Sequence, residues 1–433
     1  MSQPLHPLAL DLNKALEASS NAALSLLSGR GRAIYFPSKG ILGQSAQAKG
    51  SALNATIGTA FEEDGTPMRL PSVMEDMPLG PKALLYAPSW GRPELRKRWQ
   101  EMEVEKNPSL RGKSFSLPVA TCALTHGVSV AGHLFLDEGD QVILPDLYWD
   151  NYELVLGHAY GAELVTFNTF KDGGYDVDAL LEKVNAPGEK KVILLNFPNN
   201  PTGYTPTVAE AEAIQKGLLK AAQAGKKIAV LIDDAYFGLV YREGVEKESL
   251  FARLVDLHEN VLAVKLDGAT KEDYVWGLRV GFVTFGGKGL GPEALKALEA
   301  KAAGVVRCTI SNASNPAQLN LLKAFTSPTY AAEKAEKYAT LRARYEKIVS
   351  IFAAHPEYRE SFEPMPFNSG YFMCVKPVGV EAEAVRQELN ANFSTGTIVL
   401  SGLIRLAFSA VKLEDLEKLF ANIDAAVRKL RGA

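Results

Sequence analysis

Ile228-Ala229-Val230-Leu231-Ile232-Asp233-Asp234-Ala235-Tyr236 is five apolar residues that break into two carboxylates, an alanine and a tyrosine. An apolar run without polar alternation reads as a strand covered on both faces. Runs of the same kind recur upstream at Gln141-Val142-Ile143-Leu144 and Val192-Ile193-Leu194-Leu195. They recur downstream at Val261-Leu262-Ala263-Val264 and Val280-Gly281-Phe282-Val283. Between the second and third runs, Thr207-Val208-Ala209-Glu210 has the form of a capping box, and Gly225 is a plausible stop. Strand, helix, strand in that order predicts a parallel sheet with right-handed crossovers. Ligands of such sheets sit at the carboxyl ends of the strands.

The predicted strand ends carry the polar residues. One continues into Asn196-Phe197-Pro198-Asn199-Asn200-Pro201-Thr202-Gly203, the next into Asp233-Asp234-Ala235-Tyr236. A third is followed by Gly268-Ala269-Thr270-Lys271 and then Gly277-Leu278-Arg279. After about residue 325 the pattern changes. Tyr338, Leu341, Tyr345, Ile348 and Phe352 form one helical stripe, and Leu416, Leu419, Phe420, Ile423, Val427 and Leu430 another. Short strand-like segments lie between them, around Tyr371-Phe372-Met373 and Ile404-Arg405-Leu406. A smaller α+β domain is expected there, with the first ~50 residues packed against it.

Bulk properties narrow the partners. A chain of 433 residues exceeds one typical domain. Its net charge of -3, without a long block of one sign, argues against nucleic acid and membrane as partners and for small molecules or copies of itself. The cysteines Cys122, Cys308 and Cys374 show no CxxC spacing, so neither a metal site nor a disulfide framework is expected. That usage, and a start lacking the features of a signal peptide, suggest a cytoplasmic, reducing location. No run of 18 apolar residues predicts a transmembrane helix.

Chemistry based on pyridoxal 5'-phosphate needs a lysine, a carboxylate against the ring nitrogen, donors to the ring oxygen and a cradle for phosphate. Each has a candidate at these strand ends. In order and spacing they resemble the fold-type I aminotransferases, in the class I/II group that includes aspartate and aromatic aminotransferases, over about Asn54 to Ser409. Asn-Pro-Thr-Gly alone is only a good turn, and a lone lysine after a strand is usually a solvated charge. The resemblance implies a large domain, 54–325, with a mainly parallel seven-stranded sheet sandwiched by helices. It implies a small C-terminal domain, 326–433, joined by the N-terminal segment 1–53.

Carried over residue by residue, the resemblance implies that Lys271 holds the cofactor and moves the proton. Asp233 would meet the ring nitrogen, with Asn200 and Tyr236 on the ring oxygen. Arg279, eight residues after Lys271, would bind the phosphate with Gly127, Val128, Ser129 and Thr270. Trp149 would stack on the ring, the neighbouring Tyr148 being the alternative. Arg405 would fork the substrate α-carboxylate, near Gly58. Tyr86 would reach the phosphate of a second subunit, which implies a homodimer with shared sites. Arg307 would reach the distal carboxylate of a dicarboxylic substrate across that dimer, or else is a surface charge. The expected activity is amino transfer between an L-amino acid, aspartate, glutamate or aromatic, and a 2-oxo acid, with ping-pong kinetics. The alternatives on the same fold are a C–S lyase or a decarboxylase. A sensor domain of a transcription regulator is a third, disfavoured because no basic recognition helix precedes Asn54. One departure stands out: where the family often has serine three residues before the lysine, this chain has Gly268.

Overall fold

The structure, a computed structural model, describes residues 5–17, 27, 32–34, 40–74 and 80–432. Its centre is a seven-stranded sheet. Across the sheet the strands run Val119–Thr121, Gly281–Gly286, Val261–Asp267, Lys227–Asp233, Lys190–Asn196, Gln141–Pro145 and Glu163–Phe167. The last five are mutually parallel, whereas Gly281–Gly286 runs antiparallel to both of its neighbours. The connection into that strand carries one four-residue helix, Ala269–Glu272, in place of a full crossover helix. The chain therefore turns back instead of crossing over. Lys271 and Arg279 both lie on this reversal.

The unbroken apolar runs serve two cores at once, because successive strand side chains point to opposite faces. Val192, Leu194 and Leu231 pack with Val128, Ala131, Ala302 and Val306 of the helices Ala123–Phe135 and Pro292–Thr309. Ile193, Leu195, Val230 and Ile232 pack on the opposite face with Leu180, Ile214, Leu218 and Phe251 of three further helices. Each fully buried aliphatic side chain of this kind contributes about 1.5–3 kcal/mol. The helix Val208–Gln223 starts at Thr207 with the reciprocal bonds of a capping box to Glu210.

The C-terminal part holds a four-stranded antiparallel sheet, in the order Phe362–Pro364, Phe372–Pro377, Leu403–Ala407 and Ile398–Leu400. Both helical stripes are present, within Tyr330–Ala354 and Leu416–Leu430. The N-terminal segment joins this layer. Leu53–Asn54 pairs in parallel with Thr395–Gly396, and the Gln44 side chain exchanges hydrogen bonds of 2.8 and 2.5 Å with the backbone of Val399. Among the described residues no helix is long and apolar enough to cross a membrane.

The two layers meet at Gly203. Its carbonyl accepts from the backbone N–H of Asn368 and of Ser369, both at 2.9 Å. A Cβ on Gly203 would lie 1.8 Å from the carbonyl oxygen of Phe372, and its φ is +70°. Gly203→Ala is therefore expected to lower the thermal midpoint by several degrees, the signature of about 2 kcal/mol or more. An unchanged melting curve would show that this junction tolerates a side chain.

Candidate active site

The strand ends, the reversal and the C-terminal sheet enclose a cleft of about 350 Å³. Asn196 and Asp233 end adjacent parallel strands as register partners. The Asn196 side chain donates to the carbonyl of Asp233 at 2.9 Å and accepts from the backbone N–H of Asn200 at 2.8 Å. One side chain thus fixes the start of the asparagine loop against the next strand.

Asp233 is buried, and its carboxylate is well supplied with donors. Oδ2 accepts from the Tyr152 hydroxyl at 2.6 Å, and Oδ1 from the backbone N–H of Ala235 at 3.0 Å. Burial raises its pKa, opposed by the Tyr152 bond and by Lys271, and the net shift is upward. Lys271 moves the other way. Burial lowers its pKa, Asp233 opposes this, and the positive charge of Arg279 adds to it. An amine so placed is neutral at lower pH than a solvated lysine, as a proton carrier needs. The Lys271 amine lies 5.2 Å from the centre of the Tyr236 ring, and the Lys271 carbonyl accepts from the Tyr371 hydroxyl at 2.9 Å. Tyr236, also on the cleft wall, has its pKa raised by burial, with Asp233 adding to the rise against Arg405.

Arg405 enters from the central strand of the small sheet. It donates to Asn200 Oδ1 at 2.9 Å and to the carbonyl of Thr56 at 3.1 Å. Its guanidinium carbon lies 4.4 Å from the centre of the Phe372 ring. Its Nε is buried with no hydrogen-bond partner among the described residues. Gly58 and Thr56 line the wall beside it. Thr270 Oγ1 is likewise buried without a partner there, and it faces the same cleft. These unmatched donors suit a ligand carrying a carboxylate at one end and a phosphate at the other, which is how pyridoxal phosphate and an amino acid would occupy the cleft. Gly268 now has a physical reason: a Cβ there would lie 2.6 Å from Gly281 Cα and 2.7 Å from the carbonyl oxygen of Val280. The two chain segments approach too closely for serine, and the hydroxyl stands on Thr270 instead.

The expected residues do not all gather. Asn200, Asp233, Tyr236, Thr270, Lys271, Arg279, Arg405, Gly58 and Trp149 line the cleft. Tyr148 bonds Glu153 Oε1 at 2.7 Å and is not part of the wall. Gly127, Val128 and Ser129 do not line the cleft. They lie beyond the first turn of Ala123–Phe135, with Val128 in the core beneath the sheet and the Ser129 hydroxyl bonded to Tyr160 at 2.8 Å. The helix begins four residues before Gly127, and Ala123, Leu124 and Thr125 face the cleft. Its N-cap, Cys122, makes no side-chain cap bond, so the first-turn N–H groups are not capped by that side chain and suit an anion. Tyr86 and Arg307 are both exposed and lie outside this chain's cleft. Asn196 and Tyr152 are among the cleft residues that the sequence reading did not assign. Asn196 stands at a strand end, where ligand residues are expected. Tyr152 follows Trp149 by three residues, a spacing that puts both on one side of a helical turn.

Comparison with known proteins identifies a family and a fold. Residues 59–423 match the family model described as aminotransferase class I and II. A probable N-acetyl-LL-diaminopimelate aminotransferase of Bacillus subtilis is 28% identical over 242 residues, 56% of either chain. An aspartate aminotransferase of the same organism is 27% identical over 302 residues, 68% of this chain and 66% of its own. The chain thus spans a little over half to two thirds of the length of such curated relatives. The crystal structure of an aminotransferase from Anaerococcus prevotii superposes with a TM-score of 0.77 at 24% identity, covering 99% of this chain and 98% of that one. Thermus thermophilus aspartate aminotransferase with maleate gives 0.73 at 20% identity, over 92% and 99%.

Tyr152→Phe tests the support of Asp233. A buried hydrogen bond to a charged group is worth about 1.5–3 kcal/mol, so kcat should fall about tenfold or more with little change in KM. The bond favours the carboxylate, so its loss raises the Asp233 pKa and should move the acid limb of the pH–rate profile upward. An unmoved profile would leave Tyr152 a packing residue.

Proposed function

Because the chain belongs to the class I and II aminotransferases, a family that uses pyridoxal 5'-phosphate, we propose that it transfers an α-amino group between an L-amino acid and a 2-oxo acid. The observation that carries this reading is Arg405, a buried guanidinium with an unmatched Nε in the same cleft as Lys271. Such a group calls for an anion, and a planar fork suits a carboxylate. When bound, the cofactor supplies an electron sink for charge developing at the substrate α-carbon. Arg405 holds the α-carboxylate. Asp233, kept in place by Tyr152 and Ala235, is the carboxylate that would face the ring nitrogen. Asn200 and Tyr236, on the cleft wall, would donate to the ring oxygen. Thr270, Arg279 and the first turn of Ala123–Phe135 form the phosphate end. Trp149 supplies the stacking wall. Lys271 takes the α-proton and returns it within the cleft. The two halves of such a transfer share one site, so ping-pong kinetics are expected.

Aspartate or glutamate, aromatic amino acids, or both are the proposed donors. A distal carboxylate would need a cation beyond Arg405, and Arg307 can supply it only from a second copy. The loop after the short helix Pro81–Leu84 supports a dimer: Leu84, Leu85 and Tyr86 are 79, 65 and 91% exposed in the single chain. An apolar run of that kind favours a covering surface, and it would carry Tyr86 to the phosphate end of the neighbour's cleft.

Lys271→Ala should abolish amino transfer while leaving the fold intact by circular dichroism. Retention of wild-type turnover between amino and keto acids would overturn the reading. Pyruvate and ammonia released from cysteine conjugates without a keto-acid acceptor would point to C–S cleavage instead. Arg307→Ala should lower kcat/KM for aspartate relative to phenylalanine by about tenfold or more, the scale of a lost charge-assisted contact. An unchanged ratio removes Arg307 from substrate choice.

A further inference from the structure

Lys271 faces the cleft, but the next residue, Glu272, faces a second cavity of about 380 Å³. This cavity lies at the seam of the two layers. Phe237, Leu239 and Tyr274 come from the sheet layer, and Tyr330, Lys334 and Tyr338 from the helix Tyr330–Ala354. Existing bonds already tie the layers here: the Tyr330 hydroxyl donates to Asp273 Oδ1 at 2.5 Å, and the Tyr338 hydroxyl to the carbonyl of Val240 at 2.5 Å.

Its volume is comparable to that of the cleft and falls in the range of small-molecule sites, and its wall combines the rings of Phe237, Tyr274, Tyr330 and Tyr338 with three lysines and two glutamates. The charges narrow the ligand. Glu272 is matched twice over, by Lys106 at 3.1 Å and Lys334 at 2.6 Å. Burial raises the pKa of Glu272, yet the two lysines outweigh it and the net shift is downward, so it stays a carboxylate. Glu105 at the rim is held by Arg98 at 2.7 and 3.2 Å. Lys247, the third amine of the lining, stands 3.8 Å from Glu243 with 65% of its side chain exposed. The two carboxylates of the lining are thus already engaged, while an amine remains open to solvent at the mouth. Lys106 and Lys334 are held by Glu103, Glu272 and Asp273, so a ligand's carboxylate would find its partner in the loosely held Lys247. The rings favour a flat apolar body.

We propose that this cavity binds a small aromatic carboxylate, its ring among Phe237, Tyr274, Tyr330 and Tyr338 and its carboxylate toward Lys247. A ligand there touches both layers and the residue next to Lys271. It therefore favours whichever arrangement of the layers it fits, and couples to the cleft by the difference in its affinity for the two. That coupling rests on the amino-transfer reading above; the binding does not.

The test uses the cofactor-loaded chain and phenylacetate as probe. Arg405→Leu first removes the carboxylate clamp of the cleft. Equilibrium dialysis of that variant should then show one phenylacetate per chain with a dissociation constant below about 1 mM. Adding Ala335→Trp, an exposed position on the cavity wall, should abolish it without altering the melting curve. Adding Lys247→Glu in its place should weaken binding about tenfold or more. No binding in the Arg405→Leu chain overturns the proposal, because every site then lay in the cleft. Binding that survives both Ala335→Trp and Lys247→Glu overturns it too. Dialysis needs no turnover, so its outcome is independent of whether the chain transfers amino groups.

Discussion

The site depends on the alignment of two strand ends. Asn196 and Asp233 are register partners on neighbouring parallel strands, and the Asn196 amide ties the Asp233 carbonyl to the N–H of Asn200. Shift either strand by one residue and every side chain changes face. The two-sided packing prevents that, since Val192 and Leu194 belong to one core and Ile193 and Leu195 to the other. The cleft is thus a consequence of core packing. Arg405, arriving from the other sheet, closes it by bonding Asn200.

Much of this was legible from residue order. The apolar runs that mark strands covered on both faces lie where the sheet lies, and the polar residues after them line one cleft. Two kinds of information were not legible. The direction of Gly281–Gly286 depends on how its connection folds, and an apolar run looks alike in either orientation. The turn into Ala123–Phe135 was not legible either, because the nearby Gly127 does not make it. The turn is made by Ala123, at a φ of +59°, a conformation in which alanine is uncommon and for which its identity gives no signal. Gly281 stands opposite, where a Cβ would lie 2.7 Å from the Ala123 carbonyl carbon. The glycine that makes room for this turn is therefore more than 150 residues away in the chain.

Buried charge behind the cofactor residues has a similar lesson. Asp234 stands beside Asp233 in the sequence but does not line the cleft. It instead accepts from Ser249 at 2.6 Å and pairs with Lys265, which also meets Asp267 and Glu103. Burial lifts Asp234 to about 6, against the pull of Lys265. Adjacent aspartates in one sequence motif thus differ in role because one points into the cleft and the other into a buried ion cluster.

The bond from the Tyr371 hydroxyl to the Lys271 carbonyl crosses between the layers. The main chain of the lysine is thus tied to the C-terminal layer, at the edge of the cleft that both layers frame. Any slide of one layer over the other would have to stretch or break that bond. Arg405 rides on the same C-terminal sheet. Because the strand before Lys271 pairs with the one that ends in Asp233, a slide would move the guanidinium relative to Lys271 and Asp233 together, and the Tyr371 bond opposes it.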